Sequence, residues 1–355
     1  MTHFRSPGFL LLTTLSLAAC GGGDTDTTAA STSEATTTAT TAPDTTTDEI
    51  PTTTATSDGS TSTATSADTT SATASTTDPT TTDATTDQAT TGGNEVVIVP
   101  GFELPESVHW SANANAWFVS NIVGMPGMKD GNGYISKLNP DGSVAEMKWA
   151  TGLDGPAGLR EANGILYAND IDTVRSFSVD TALPLIETVI PGAMFLNDIV
   201  VGPDNYVYVS DTNTNTISRF QGAMPPEVVI KNDVLDAPNG LMFMGNQLYC
   251  GAIGSISDPM VLGELLLIKG NMATVQGSYE AKIDGIEVDG DSFLITEFSP
   301  GVLQRVSPDG TSVTLLHDFT ADGLMSTADL GFNPDTRVVG IPDLLGGQVA
   351  FWTVP

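Results

Sequence analysis

The sequence predicts an all-β fold, a six-bladed β-propeller with four strands per blade, preceded by a disordered tether. Three observations predict it. Residues 94–355 consist of short β-branched or aromatic runs bounded by turn residues, with no long apolar stripe at helical spacing. These runs recur as similar units that open at residues 105, 156, 196, 238, 283 and 327, a spacing typical of propeller blades and too long for most solenoid repeats. Residues 21–93 are roughly half Ser and Thr and contain no Lys, Arg or aromatic side chain, so they cannot bury a core.

Taken in chain order, the first element is residues 1–20. Arg5 forms a thin positive region, residues 9–17 form an apolar stretch too short to span a bilayer, and Leu17-Ala18-Ala19-Cys20 closes it with small residues. This pattern resembles a bacterial lipobox, which makes Cys20 the candidate lipidation site and first residue of the mature protein. It predicts an exported cell-envelope lipoprotein held to the membrane only through the lipid on Cys20. Gly21 is not the Asp associated with inner-membrane retention, which points to the outer membrane or cell surface. Residues 21–93 then form the tether, with twelve acidic residues when counted to Glu95. A flexible chain of that length spans about 45–50 Å r.m.s., and self-repelling Asp side chains extend it. Its expected function is reach.

The predicted blades follow. Their openings read Pro105-Glu106-Ser107-Val108, Pro156-Ala157-Gly158-Leu159, Leu196-Asn197-Asp198-Ile199, Pro238-Asn239-Gly240-Leu241, Ile283-Asp284-Gly285-Ile286 and Thr327-Ala328-Asp329-Leu330. After each come a first apolar strand, a turn, a second strand often ending in Asn or Asp (Asn121, Asp170, Asp211), then a third strand and a variable fourth. Turn sequences such as Asn139-Pro140-Asp141-Gly142 and Ser307-Pro308-Asp309-Gly310 suit the hairpins. The sixth unit runs out of chain after residues 349–352, so residues 96–99 are expected to supply its outer strand, close the ring and remove a free edge. A two-sheet sandwich would not require six equal repeats.

The repeat register also predicts where chemistry sits, because the innermost strand of each blade lines the central channel and its first residues crown one mouth. The equivalent positions are Glu106, Ala157, Asn197, Asn239, Asp284 and Ala328, with Asp329 directly after the last. Four of them carry side-chain oxygens, hard donors that suit Ca²⁺ or Mg²⁺ better than a thiol-preferring metal. A cation on the channel axis explains why one side-chain class recurs at sequence-distant positions. The competing reading takes Asn-Gly and Asp-Gly as ordinary turn dipeptides and Glu106 as a solvated loop carboxylate.

These residues resemble the gluconolactonase, regucalcin and luciferin-regenerating-enzyme group of six-bladed propellers. Pro238-Asn239-Gly240-Leu241 and Asp284-Gly285 match that group's motifs closely. Pro105-Glu106-Ser107-Val108-His109-Trp110 keeps the Glu and Trp of its first motif but lacks Glu-Gly-Pro, and Asn197-Asp198-Ile199 lacks the Gly that often follows Asn-Asp. The resemblance implies that Glu106, Asn197, Asn239 and Asp284 bind one divalent cation, Ca²⁺ or another such as Mg²⁺, Mn²⁺ or Zn²⁺, and that Asp284 is also catalytic. It implies a metal-dependent hydrolase of sugar lactones or related esters, acting on a small-molecule substrate as a monomer. The alternative is a propeller that binds a ligand or partner without chemistry.

Other classes are excluded or weakened by composition. With 43 acidic against 12 basic residues and a formal net charge of −31, the chain lacks the cationic face that nucleic acid requires, and anionic membrane surfaces repel it. No Gly-x-Ser-x-Gly elbow or phosphate-binding Gly-x-x-x-x-Gly-Lys loop occurs, and three histidines, one of them within residues 1–20, do not make a zinc triad. His109 and His317 read as structural. Asp211-Thr212-Asn213-Thr214-Asn215 resembles the start of an EF-hand loop, but Thr216 replaces the required Gly and Gly222 the bidentate Glu, so it reads as a hairpin turn. Cys250 is the one thiol left after lipidation, so no intramolecular disulfide forms, and it reads as a small core hydrophobe.

Overall fold

The structure, a computed structural model, describes residues 95–255 and 257–355. Cys20, the apolar leader and the tether lie outside the described residues. The first strand, β1 (Val97–Pro100), precedes blade 1, which comprises β2 (Pro105–Ser111), β3 (Ala116–Asn121), β4 (Gly133–Leu138) and β5 (Val144–Leu153). Blade 2 is β6 (Pro156–Ala162), β7 (Ile165–Asp170), β8 (Thr173–Ser178) and β9 (Pro184–Val189). Blade 3 is β10 (Leu196–Val201), β11 (Val207–Asp211), β12 (Thr216–Phe220) and β13 (Glu227–Lys231). Blade 4 is β14 (Pro238–Met244), β15 (Gln247–Ala252), β16 (Gly263–Lys269) and β17 (Met272–Ala281). Blade 5 is β18 (Ile283–Asp289), β19 (Ser292–Glu297), β20 (Val302–Val306) and β21 (Val313–Asp318). Blade 6 is β22 (Gly331–Asn333), β23 (Val338–Asp343) and β24 (Gln348–Thr353), completed on its outer edge by β1.

Each blade is an antiparallel four-stranded sheet, and the innermost strands pack side by side in chain order around the ring. Ring closure follows the expected route, with Val97 opposite Phe351 and Val99 opposite Val349. The seam is reinforced at the channel, where Val108 N–H donates to Asp329 O and Asp329 N–H donates to Glu106 O, both at 3.0 Å. Closure gives blade 6 its outer fourth strand, so β24 is paired on both sides.

The apolar core lies between blades rather than at one centre. Phe118, Ile135, Leu153, Leu159 and Leu166 join blades 1 and 2, while Leu294, Leu303, Phe319, Val339 and Trp352 join blades 5 and 6. The alternation of the inner strands sends one face of each sheet into the gap beside it. Cys250 is buried in this interblade core, and burial pushes its thiol well above the ordinary value, as expected of an inert hydrophobe. The Asp211 carboxylate accepts from the N–H groups of Asn213 and Thr214, a local turn between β11 and β12 and not a cation loop.

One irregularity repeats and sets the site. In β2, β6, β10, β14 and β18 the opening residue pairs with the last residue of the second strand, and the next pairing comes three residues later. Two opening residues therefore oppose one residue of the neighbour, as in Pro105 with Asn121 followed by Val108 with Val119. This is a β-bulge, which re-aims the two extra side chains. Hydroxyls hold the bulges in place. Ser120 Oγ accepts from Ser107 N–H at 2.9 Å, Ser210 Oγ from Asp198 N–H at 3.0 Å, and Thr296 Oγ1 from Gly285 N–H at 2.9 Å. Ser210 and Thr296 then donate to carbonyls in the opening of the next blade, Asn239 O and Ala328 O, each at 2.8 Å. These bonds tie blade 3 to blade 4 and blade 5 to blade 6 at the channel.

Candidate functional site

The bulges place the candidate residues. Glu106, Ala157, Asn197, Asn239 and Asp284 each occupy the first extra position of their bulge, in blades 1 to 5. Ala328 precedes β22 and lies in the blade 6 opening. All six side chains are buried, none more than 6% exposed. Asn239-Gly240 and Asp284-Gly285 are not hairpin turns, and Glu106 is not a solvated loop carboxylate. The glycines serve a different need. A Cβ on Gly240 would stand 2.4 Å from Asp284 O, and one on Gly285 2.4 Å from Leu330 N, so only glycine lets the next blade's backbone approach.

The electrostatics of this crown are unbalanced. Glu106 Oε2, Asn197 Oδ1, Asn239 Oδ1 and Asp284 Oδ1 are buried with no hydrogen-bond partner, and among the described residues Asn169 Oδ1 and Asp329 Oδ1 share that state. Each unpartnered buried polar atom costs about 1–3 kcal/mol. Native proteins rarely retain several together unless an ion, water or ligand completes them. Burial, then the charges of Asp284, Asp329 and Asp198, push the Glu106 carboxyl well above the ordinary range. Burial and then the Asp198 charge push Asp284 up to about 8, against a smaller opposing pull from the Asn239 carboxamide beside it. The Asp284 charge is among those that push Glu106 up, in keeping with the shared register position of the two carboxyls.

Several residues around the crown were given no part in the site by sequence reasoning, although Asp329 was noted beside Ala328 and His109 was read as structural. Asp198 and Asp329 occupy the position after the crown residue in blades 3 and 6. The Asp198 carboxylate accepts from Ile199 N–H at 2.6 Å and from Leu241 N–H at 2.5 Å, tying blade 3 to blade 4. Asp329 Oδ2 accepts from Ser107 Oγ at 2.6 Å. Deeper in the channel, Arg160 Nη1 of blade 2 donates to Glu287 Oε1 of blade 5 at 2.7 Å. These blades stand opposite in the ring, so the ion pair crosses the channel and floors the crown, with both side chains nearly buried. His109 holds the matching register position on β2, where burial and then the Arg160 charge push its imidazole well below the ordinary value. Reading the fourth residue after each opening as a second channel layer finds His109, Arg160 and Glu287 in the sequence.

Other candidates stay structural. His317 packs against Phe319 and Trp352 and pairs with Asp322. Asp170 and Asp211 bind backbone N–H groups of the connections entering their own blades. Two surface clefts, one at Trp149, Arg175 and Glu187 and the other at Tyr167, Leu185 and Phe220, contain none of the crown residues. Among the described residues no three of His, Cys, Asp and Glu form a cluster able to hold a metal. The crown pairs two carboxylates with two carboxamides, a donor set outside that description.

No family model and no curated protein matches the chain. Its likeness is to solved propellers. The β-propeller domain of Cps50 (Swd1) from Myceliophteria thermophila is 8% identical, with a TM-score of 0.50 over 74% of this chain and all of that one. Virginiamycin B lyase from Staphylococcus aureus, in a catalytically inactive form with quinupristin, is 14% identical, with a TM-score of 0.49 over 74% of this chain and all of its own. At these identities the shared property is the fold.

Proposed function

We propose that the crown binds one divalent cation, Ca²⁺ by the chemistry of its donors, and hydrolyses a lactone or related ester. Four buried oxygens without partners support this reading. Glu106 and Asp284 supply two negative charges to a dication, and the Asn197 and Asn239 carboxamides supply neutral oxygens, a hard set that fits calcium. When bound, the cation would supply Lewis acidity toward the substrate carbonyl.

The remaining work falls to the chain's own residues. Asp284 would take a proton from the attacking water as its oxygen bonds to the carbonyl carbon, then return it to the alkoxide as the carbon–oxygen bond breaks, yielding a hydroxy acid. Ala157 and Ala328 put no polar group in the crown. The Arg160–Glu287 pair spans the channel beneath the crown, and in this reading substrate would enter and product leave by the crown mouth. The deciding experiment is a screen of lactones and aryl esters with and without calcium. Metal-dependent turnover supports the enzyme, whereas calcium-dependent stabilisation without turnover on any of them leaves a binding propeller. Cys20 is proposed as the lipid anchor displaying this domain at the envelope. Cys20→Ser should move the protein from the membrane fraction to the soluble one, and a variant that still pelleted with membranes would discard the anchor.

A further inference from the structure

The two faces of the ring expose different chemistry. Because every innermost strand starts at the crown, antiparallel pairing puts each second-to-third-strand connection and each connection between blades on the crown face. On those connections Met125, Met128, Met194, Met260, Met325 and Leu345 are all more than half exposed, Met260 reaching 84%. They belong to five separate loops, those between β3 and β4, β9 and β10, β15 and β16, β21 and β22, and β23 and β24. The opposite face is made of tight polar turns, and among the described residues its connections expose only Leu183 and Met224 to a similar extent. Their concentration on the loops of one face makes that face a candidate contact surface.

Charge narrows what that occupant is. Glu103, Asp130, Asp233, Asp236 and Asp258 are exposed on the same connections, so an anionic lipid surface is repelled. Inside the mouth Arg160 is committed to Glu287, and the Lys282 ammonium is spent on the carbonyls of Ser255, Asp258 and Val261. A ligand carboxylate or phosphate would find neither cation free. Methionine is unbranched and polarizable, suited to gripping a flexible chain in more than one position. We infer that the mouth selects an uncharged ligand with an alkyl or acyl tail, its polar head at the crown and its tail along the methionine rim. Among lactones and esters this means alkyl-substituted ones in preference to polyhydroxylated sugars. The inference rests on the hydrolytic reading for the head group alone.

The test titrates the full-length Cys20→Ser protein, which lacks the proposed lipid anchor, with δ-lactams bearing alkyl tails of increasing length, kept below micelle-forming concentrations, while the matching lactones are assayed for turnover. Affinity is expected to rise about twofold per methylene, half the fourfold step of complete burial. Combining Met125→Gln, Met260→Gln and Met325→Gln should flatten that slope, leaving the melting temperature and the shortest lactam's affinity unchanged. A slope without turnover of any lactone keeps the tail site and discards the hydrolase. Turnover with a flat slope, or with gluconolactone preferred over alkyl lactones, keeps the hydrolase and overturns the tail site. Failure to bind any lactam overturns it too, as does a flat slope with sedimentation on phosphatidylcholine vesicles, which would make the rim a membrane contact.

Discussion

Asp284 and Asp289 lie at opposite ends of one strand, β18, and face opposite circumstances. Asp284 is buried with Oδ1 unpartnered and is pushed up to about 8. Asp289 is gripped by Arg337 through two bonds of 2.9 and 3.0 Å and by Arg305 at 2.7 Å, and those arginines hold its carboxyl below the ordinary value. The same side chain on the same strand is uncompensated at the crown and fully compensated at the far end. Satisfied charge is what a fold needs for stability, whereas buried charge left open costs stability, and in the proposed reading the cation offsets that cost.

The contrast is broken most sharply at the crown. Asp284→Asn keeps the shape and one oxygen but removes the proposed base, so lactone hydrolysis should fall about 10²–10⁴-fold, with the fold retained, in a steady-state assay. If turnover persisted, Asp284 would not be the base. Asp291→Asn, in the exposed turn that follows β18, should leave turnover and stability unaltered.

Next in size is the channel floor. Arg160→Met leaves Glu287 buried and unpaired and should cost about 3–5 kcal/mol in urea unfolding. Adding Glu287→Leu should recover most of that loss, because removing both partners is far cheaper than removing one. If the single variant were as stable as the parent, the pair would not span a water-poor channel.

The third measurement tests the proposed cation. Calcium at about a hundred times its dissociation constant should stabilise the protein by about 2.7 kcal/mol, seen as a rise in melting temperature. Combining Glu106→Gln with Asp284→Asn should abolish most of that rise, since both proposed negative ligands are then gone. A rise that survived both substitutions would place the cation elsewhere.

The smallest effect belongs to the compensated end. Asp289→Asn should cost about 1 kcal/mol at neutral pH, the usual scale for a partly exposed ion pair. Because the folded-state value is depressed, this stability is present above the unfolded Asp value of about 3.9 and is lost as the pH falls through the lower folded value. The gap between parent and variant in acid unfolding should therefore close only at low pH. A gap already closed at pH 5 would show that the arginines do not hold Asp289 ionised.

Much of this was legible before any coordinates. Six openings in register define six blades, and Glu106, Asn197, Asn239 and Asp284 share one position in that register. What the register could not show was why Gly follows Asn239 and Asp284. Asn-Gly and Asp-Gly look like turns in sequence, but here they are bulges whose glycines admit the next blade, a requirement set by atoms 45 or so residues further along. Arg160 and Glu287 were passed over because neither carries a motif, and their meeting depends on two blades standing opposite each other.

Local chemistry determined the strands, the turns and the count of blades, because apolar alternation and turn residues act over a few neighbours and survive any arrangement of the whole. Only the closed ring decided burial and charge. Closing it brings sequence-distant carboxylates into one water-poor channel, pairs Arg160 with Glu287 across it, and leaves four crown oxygens without partners. Those outcomes depend on distances through space, which a repeat predicts in register and only the packed ring sets in energy.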